Sequence, residues 1–242
     1  MRNFLLLFFA VITMSVSAQG PYWTCYNLEV DPEGVEEVVA SLDLLFESEM
    51  AMDHNYTIIL SEVHFNNESI PMTHQVCFLG ENADAFANWT GGPPPTAAGA
   101  TLAMTFAQYV KIHQSILGAP LMFDPEGLNY AYGNIWQLRV KDPMKVAGAL
   151  KALEDGTDFD GVFELHQAIS GSRDGITHYM VARAADMTSW LKGREHVISS
   201  DAFKGFNKSM QEAAEIVASF AVKRVKVYTP KAKSDNTSGD KN

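Results

Sequence analysis

Residues 23–42 read WTCYNLEVDPEGVEEVVASL, and residues 134–153 read NIWQLRVKDPMKVAGALKAL. Each stretch predicts a strand followed by an amphipathic helix, because Asp is a favoured helix N-cap and Pro is favoured at the first helical position. Placing Asp31 on Asp142 also superposes three apolar helix positions, which are Val35, Val39 and Leu42 on Val146, Leu150 and Leu153. The buried stripes of the two helices are therefore in phase, which indicates an internal repeat.

The correspondence continues through the rest of both halves. Residues 57–63 match the strand at 162–168, and residues 73–78 match 177–182. A helix carrying a tryptophan follows in each half, with Trp89 in the first and Trp190 in the second. Longer helices are predicted at about 101–117 and 201–220, and the closing strands near Pro120–Phe123 and at Val222–Tyr228.

Each half thus has the order β-α-β-β-α-β, the ferredoxin-like unit, and the predicted fold class is α+β with two such units in tandem. The first repeat is assigned to residues 21–123, a linker to 124–133 and the second repeat to 134–228. Residues 229–242 contain no apolar residue larger than alanine, so we expect a solvated tail.

The amino terminus is typical of a secretory signal peptide. Residues 1–18 have a positive start at Arg2, an apolar run from Phe4 to Ile12, and small side chains at Val16 and Ala18 before a cut. The alternative is a membrane anchor, but the run is shorter than the roughly 20 residues that span a bilayer. We therefore expect a mature chain that is secreted or periplasmic.

The charge of the chain limits its partners. Among 242 residues, 29 are acidic and 18 are Lys or Arg, which gives a net charge of −11. Such a surface argues against electrostatically driven binding to nucleic acid or to an anionic membrane.

Two ferredoxin-like units with a long helix before the last strand resemble the dimeric α+β barrel superfamily, over roughly residues 21–228. The resemblance rests on architecture and implies two four-stranded sheets that face each other as a barrel, with the helices outside. It implies a monomer or weak homo-oligomer here, since both halves lie in one chain. The superfamily includes cofactor-free monooxygenases, isomerases, haem proteins and proteins without known chemistry, so the fold alone is a weak guide to function.

In such a barrel the side chains of a strand alternate between the face under the helices and the face that lines the interior. The apolar positions expected under the helices are Tyr26, Leu28 and Val30, matched by Trp136, Leu138 and Val140. The positions expected inside are Cys25, Asn27, Glu29, Ile59, Ser61, Gln75, Cys77 and Leu79 in the first repeat, and Ile135, Gln137, Arg139, Glu164, His166, Tyr179, Val181 and Arg183 in the second.

The second repeat supplies most of the polar interior groups, and a polar cluster in an apolar enclosure is the usual form of a small-molecule site. We predict His166 as a general base oriented by Glu164, with Arg139 or Arg183 holding an anionic or enolate oxygen. The further substrate-binding candidates are Tyr179, Gln137, Glu29 and Asn27. The alternative is that Glu29–Arg139 and Glu164–Arg183 are satisfied interior ion pairs with no substrate.

Other candidate groups are assigned mainly structural roles. Thr73-His74 and Thr177-His178 recur at the start of the third strand of each repeat, which favours a repeated structural hydrogen bond. His113 is predicted on the longer helix, where a haem ligand could sit in haem-binding relatives, but its neighbours show no haem motif. The sequence contains no HExxH, CxxC, GxGxxG, P-loop or GxSxG motif, and we expect neither a metal nor a cofactor.

The two cysteines, Cys25 and Cys77, fall on the first and third strands, which are neighbours in a ferredoxin-like sheet. The sequence is compatible with a disulfide in an oxidising compartment and equally with two free buried thiols.

These features predict a barrel that binds a small, partly apolar molecule, with cofactor-free monooxygenase or isomerase chemistry as the hypothesis. The alternative is a non-enzymatic binding or interaction protein whose barrel is filled by side chains. A cavity that reaches His166 and Arg139 would favour the first over the second.

Overall fold

The structure is a computed structural model that describes residues 21–47, 56–67, 69, 71–86 and 92–230. The predicted signal peptide, Trp89 and the tail beyond residue 230 lie outside these residues. No helix in the described part of the chain is long and apolar enough to cross a membrane.

Eight strands and five α-helices make up the described chain. The strands are β1 (Tyr22–Val30), β2 (Tyr56–His64), β3 (His74–Gly80), β4 (Val110–Met122), β5 (Tyr132–Val140), β6 (Gly161–Ser170), β7 (His178–Ala184) and β8 (Ala214–Tyr228). The helices are α1 (Val35–Phe46), α2 (Ala97–Tyr109), α3 (Pro143–Asp155), α4 (Met187–Ser199) and α5 (Asp201–Ala213). The Asp-Pro pairs act as predicted: Asp142 accepts from the backbone N–H of Lys145 and caps α3, and Asp31 accepts from the N–H of Glu33.

The strands form one closed antiparallel barrel in the order β1-β3-β2-β8-β5-β7-β6-β4. Each repeat contributes four consecutive strands, arranged as in a ferredoxin-like sheet. The two sheets join where β2 pairs with β8 and where β4 pairs with β6. Because the sheet closes on itself, each of the eight described strands has a paired neighbour on both sides.

The predicted division of strand faces is confirmed by the packing. Leu28 and Val30 are buried against α1, and Leu138 is buried against α3 and α5, in two separate cores between sheet and helices. A third apolar cluster fills part of the barrel itself and includes Cys25, Ile135, Tyr179, Val181 and Phe220. The period-2 alternation of the strands therefore sets which side chains can form an interior site.

The ends of α2 and α5 correct the sequence prediction. The helices predicted to run to residues 117 and 220 end at Tyr109 and Ala213, and the closing strands begin at once and are long. Strand β4 is therefore much longer than the predicted Pro120–Phe123. The physical reason is that both strands are paired along most of their length with β1 or β5, and this pairing outweighs local helix propensity.

The Thr-His pairs form the predicted structural hydrogen bond in both repeats. The Oγ1 atom of Thr73 lies 2.9 Å from Nδ1 of His74, and that of Thr177 lies 2.9 Å from Nδ1 of His178. In each repeat the same hydroxyl accepts from a backbone N–H at the end of the first strand, which belongs to Val30 or Val140. Burial lowers the pKa of both histidines, so both favour the neutral form.

Candidate functional site

A cavity of about 90 Å³ lies inside the barrel, between the two sheets. The walls contributed by the first repeat are mostly apolar, whereas Glu164, His166 and Arg183 come from the second repeat. The residues that line the cavity include Trp23, Cys25, Cys77, Phe123, Leu128, Glu164, His166, Tyr179 and Arg183. The expected cavity at His166 is therefore present, and Arg139 is not part of its lining.

The charged centre of this cavity is Glu164 on β6, which is only 1% exposed. One carboxylate oxygen, Oε2, accepts from Nε of Arg183 at 3.1 Å and lies 3.0 Å from Nε2 of His166. Strand β6 places Glu164 and His166 two residues apart on the same face, and β7 brings Arg183 beside them. The predicted cluster of Glu164, His166 and Arg183 is thus assembled by two neighbouring strands.

The pKa of Glu164 is set by opposing effects. Burial by itself raises it, but the charge of Arg183 and the hydrogen bond with His166 outweigh burial and hold it at about 2, below its ordinary value of 4.5. Glu164 is therefore ionised at neutral pH. An ionised carboxylate only accepts hydrogen bonds, so Nε2 of His166 carries the proton that faces it.

This assignment leaves reactive atoms without partners in the cavity wall. In neutral His166 the other ring nitrogen, Nδ1, bears a lone pair. Within the described part of the chain, buried Nδ1 of His166, Oε1 of Glu164 and Nε1 of Trp23 have no hydrogen-bond partner. Buried polar atoms are rarely left unpaired, so these atoms point to a ligand or to bound water.

The segment between the repeats closes this end of the barrel. Residues Pro125–Asn129 form a short 3₁₀ turn, and Phe123 and Leu128 line the cavity from it. The guanidinium of Arg224 on β8 donates to the backbone carbonyls of Leu128 and Gly127. The sequence predicts only a linker here, and Arg224 is not among the predicted site residues. A signal was available, because Phe220, Val222 and Arg224 alternate along β8 and the first two are buried interior residues.

Gly127 allows the turn to pack closely against Glu164, because a Cβ atom at this position would lie 2.4 Å from Oε1 of Glu164. We expect Gly127→Ala to displace the turn and lower the free energy of unfolding by about 2 kcal/mol. Urea denaturation measures the change. The matched control is Gly148→Ala on α3, where the added methyl meets open space and should raise stability by up to about 1 kcal/mol. Equal effects of the two variants would contradict this placement of the turn.

The other predicted site residues do not line the cavity. Asn27 is buried in an amide network, donating to Oε1 of Gln114 and accepting from Nε2 of Gln75. Gln137 is also buried, on β5.

Of the two ion pairs in the alternative without a substrate, Glu164–Arg183 is formed and Glu29–Arg139 is replaced by other pairs. Arg139 is exposed and pairs with Glu215 at 3.1 Å, while Glu29 pairs with His113 at 2.8 Å. Both lie near the end of their strands, where the side chains reach neighbouring loops and strands instead of each other. The substrate-binding roles of Asn27, Glu29, Gln137 and Arg139 remain predictions without support from the cavity.

His113 lies on β4, not on a helix as the sequence predicted. It is the extra residue of a β-bulge, since Asn27 pairs with Gln114 and Leu28 pairs with Ile112. Its Nε2 atom is engaged by Glu29. No group of three or more potential metal ligands is found among the residues that the structure describes.

Of the two cysteine alternatives, the structure contains the disulfide. Cys25 and Cys77 face each other directly across β1 and β3, and their sulfur atoms are bonded. Both cysteines belong to the cavity lining. The disulfide thus links two strands of the wall opposite the charged cluster.

A larger cavity of about 250 Å³ lies outside the barrel in the second repeat, between its sheet and α3, α4 and α5. Its walls are apolar and include Trp136, Trp190 and Phe163, with Arg194 and Asn207 as polar lining residues. The first repeat has a matching apolar cavity of about 160 Å³ between its sheet and α1 and α2.

Solved structures with a similar fold carry names that suggest oxidative chemistry. A candidate monooxygenase from Lactobacillus acidophilus NCFM is 11% identical and superposes with a TM-score of 0.60, over 87% of this chain and 97% of the other. A candidate monooxygenase from Fusobacterium nucleatum is 13% identical, with a TM-score of 0.59 over 87% and 94% of the two chains. An anthrone oxidase-like protein is 14% identical, with a TM-score of 0.53 over 88% and 95%.

At these identities the likeness shows the fold: the chain is a dimeric α+β barrel with both halves in one polypeptide. No protein-family model matches the chain, and no curated protein matches it.

Proposed function

We propose that this protein is a secreted or periplasmic barrel that binds a small molecule in its interior and transfers a proton to or from it. The observation that carries the proposal is the buried Glu164–His166 pair, which lines the interior cavity and whose atoms Oε1 and Nδ1 have no hydrogen-bond partner in the described chain. The location rests on the signal-like residues 1–18 alone.

The geometry suits general base catalysis. Glu164 holds the His166 ring with Nε2 protonated, so Nδ1 can take a proton from an acidic C–H or O–H group of the ligand. Arg183 would then stabilise the developing negative charge on a ligand oxygen. Return of the proton to another atom is an isomerase reaction. A carbanion that keeps one C–H bond can instead add dioxygen to form a peroxide, which takes up the proton held by His166. The peroxide then loses the C–H proton and hydroxide, as water, to give a carbonyl. This is a cofactor-free monooxygenase reaction, the activity suggested by the names of the structural neighbours.

Native mass spectrometry of the protein purified from its source tests this proposal. We expect a retained small molecule on the wild-type chain and at least a tenfold lower occupancy in His166→Gln, because the imidazole of a residue that lines the cavity is lost. His196→Gln on α4 is the control, since that histidine is exposed and remote from the cavity lining. Equal occupancy in both variants would contradict an interior site.

A second candidate function is favoured by the volume of the outer cavity of the second repeat, about 250 Å³ against about 90 Å³ for the interior. This space would bind a larger, mainly apolar molecule against Trp136 and Trp190. Ile216 lines it and is 56% exposed, so Ile216→Gln should fold normally. Ligand loss in Ile216→Gln but not in His166→Gln would assign the ligand to the outer cavity.

A further inference from the structure

The positive charges at the closed end of the barrel outnumber the negative ones. Glu164 supplies the carboxylate of this cluster, and this carboxylate already pairs with Arg183. Arg224 is half-buried and lies near enough to both groups to be affected by their charges: burial and Arg183 lower its pKa, and Glu164 raises it. Among the described residues no carboxylate lies within ion-pair distance of Arg224. One positive charge of this cluster is therefore unbalanced when His166 is neutral.

An unbalanced positive charge that is partly removed from water favours an anion nearby. The guanidinium of Arg224 is held in place by the carbonyls of Leu128 and Gly127, and these bonds do not neutralise its charge. Arg183 uses Nε toward Glu164 and lines the cavity. The terminal nitrogens of its guanidinium are the donors that suit a ligand carboxylate.

The unpartnered atoms impose a second requirement on the same ligand. Oε1 of Glu164 and Nδ1 of neutral His166 are both acceptors, so each requires a hydrogen-bond donor. A ligand whose only polar group is a carboxylate has no hydrogen-bond donor, and its negative charge would be repelled by that of Glu164. A hydroxyl group beside the carboxylate satisfies an acceptor and separates the two negative charges.

The size of the cavity limits the ligand further. In another protein, a cavity of about 150 Å³ binds benzene, which has six non-hydrogen atoms. A smaller cavity therefore accepts a molecule of about six non-hydrogen atoms or fewer. The interior cavity, at about 90 Å³, is smaller still. The apolar walls, which include Trp23 and Val181, suit a short carbon chain.

We propose that the interior site binds a short-chain hydroxycarboxylate, with its carboxylate toward Arg183 and Arg224 and its hydroxyl toward Glu164 and His166. This inference rests on the proposed function, because it names the class of molecule that the same site binds. It assigns Arg224, which lies outside the cavity lining, as a positioning residue that adds positive charge near the site and fixes the turn that covers the ligand.

Isothermal titration calorimetry of the mature wild-type chain with four probes tests the proposal. Glycolate and lactate carry both groups, propionate lacks the hydroxyl, and propane-1,2-diol lacks the charge. We expect glycolate or lactate to bind at least about tenfold more tightly than either incomplete probe, as the loss of one charge-assisted hydrogen bond implies. Arg224→Gln should lower the affinity for lactate by several-fold, and Arg183→Gln should lower it by about tenfold or more.

Lys223→Gln is the matched control, since Lys223 is the exposed neighbour of Arg224 on β8 and does not line the cavity. It should bind lactate as the wild type does. Circular dichroism of each variant checks folding, and Arg224→Gln keeps the test open if Arg183→Gln does not fold, because Arg224 pairs with no carboxylate among the described residues.

The outcomes separate this inference from the proposed function. Propane-1,2-diol could bind tightly to the wild type and not to His166→Gln, while glycolate, lactate and propionate do not bind. This result would overturn the assignment of a hydroxycarboxylate and retain the interior site. Lactate binding that is unchanged in Arg224→Gln and Arg183→Gln would also overturn it. No binding of any probe would overturn the inference, and the retained ligand measured by native mass spectrometry would then decide the proposed function separately.

Discussion

Replacing Cys25 and Cys77 together with serine is expected to lower the free energy of unfolding by about 4 kcal/mol. The disulfide closes a loop over a sequence separation of 52 residues, and a cross-link of this span removes about that much chain entropy from the unfolded state. The measurement is urea denaturation of the wild type and the double variant under oxidising conditions.

Reduced wild-type protein is the internal control, since it should unfold with the stability of the double variant in the same buffer. The denatured, unreduced wild type should contain no reactive thiol. Two reactive thiols per chain, or a double variant as stable as the oxidised wild type, would contradict the cross-link between β1 and β3.

Glu164→Gln is expected to lower the free energy of unfolding at pH 7 by about 3 kcal/mol, because it breaks a buried ion pair and leaves Arg183 without its counter-charge. The matched control is Glu215→Gln, which breaks the exposed pair with Arg139 and should cost less than about 1 kcal/mol. Similar losses in the two variants would show that burial does not strengthen the interior pair.

The pH dependence provides a separate readout of Glu164. Its pKa in the folded chain, about 2, lies below its ordinary value of 4.5. The stabilisation is therefore complete above pH 4.5, decreases as the pH falls, and is lost below about pH 2. Wild-type stability should fall more steeply over this range than that of Glu164→Gln. Parallel pH profiles would contradict an ionised Glu164 in the folded protein.

The sequence predicts the fold well because its information is local and occurs twice. The Asp-Pro caps, the in-phase helix stripes and the Thr-His pairs recur at matching positions, and each makes a short-range interaction that the structure contains. Strand alternation was sufficient to place Glu164 and Arg183 on the interior face. The ion pair between them follows, because their strands are neighbours.

The remaining features depend on contacts between distant segments. Tyr228 packs under the helices although Arg224, four residues earlier, faces the interior, because a β-bulge between them changes the alternation of β8. A second bulge turns His113 toward Glu29, which removes the expected partner of Arg139. Single-strand periodicity contains no signal for such insertions, since they appear only in the register against another strand.

The covering turn is a further long-range feature. Nothing local marks residues 124–131 as the cover of a site, because their role depends on Arg224, about a hundred positions later in the chain. The outer cavities likewise depend on how helices pack on each sheet, which the pattern of apolar residues does not specify in detail.

The central claim is that the barrel interior holds a small molecule between Glu164, His166 and Arg183. A high-resolution crystal structure of the protein purified from its source tests it most directly. The predicted result is density for a bound molecule within hydrogen-bond distance of Oε1 of Glu164 or Nδ1 of His166. An interior that is filled by protein side chains, or that contains only ordered water, would contradict the claim.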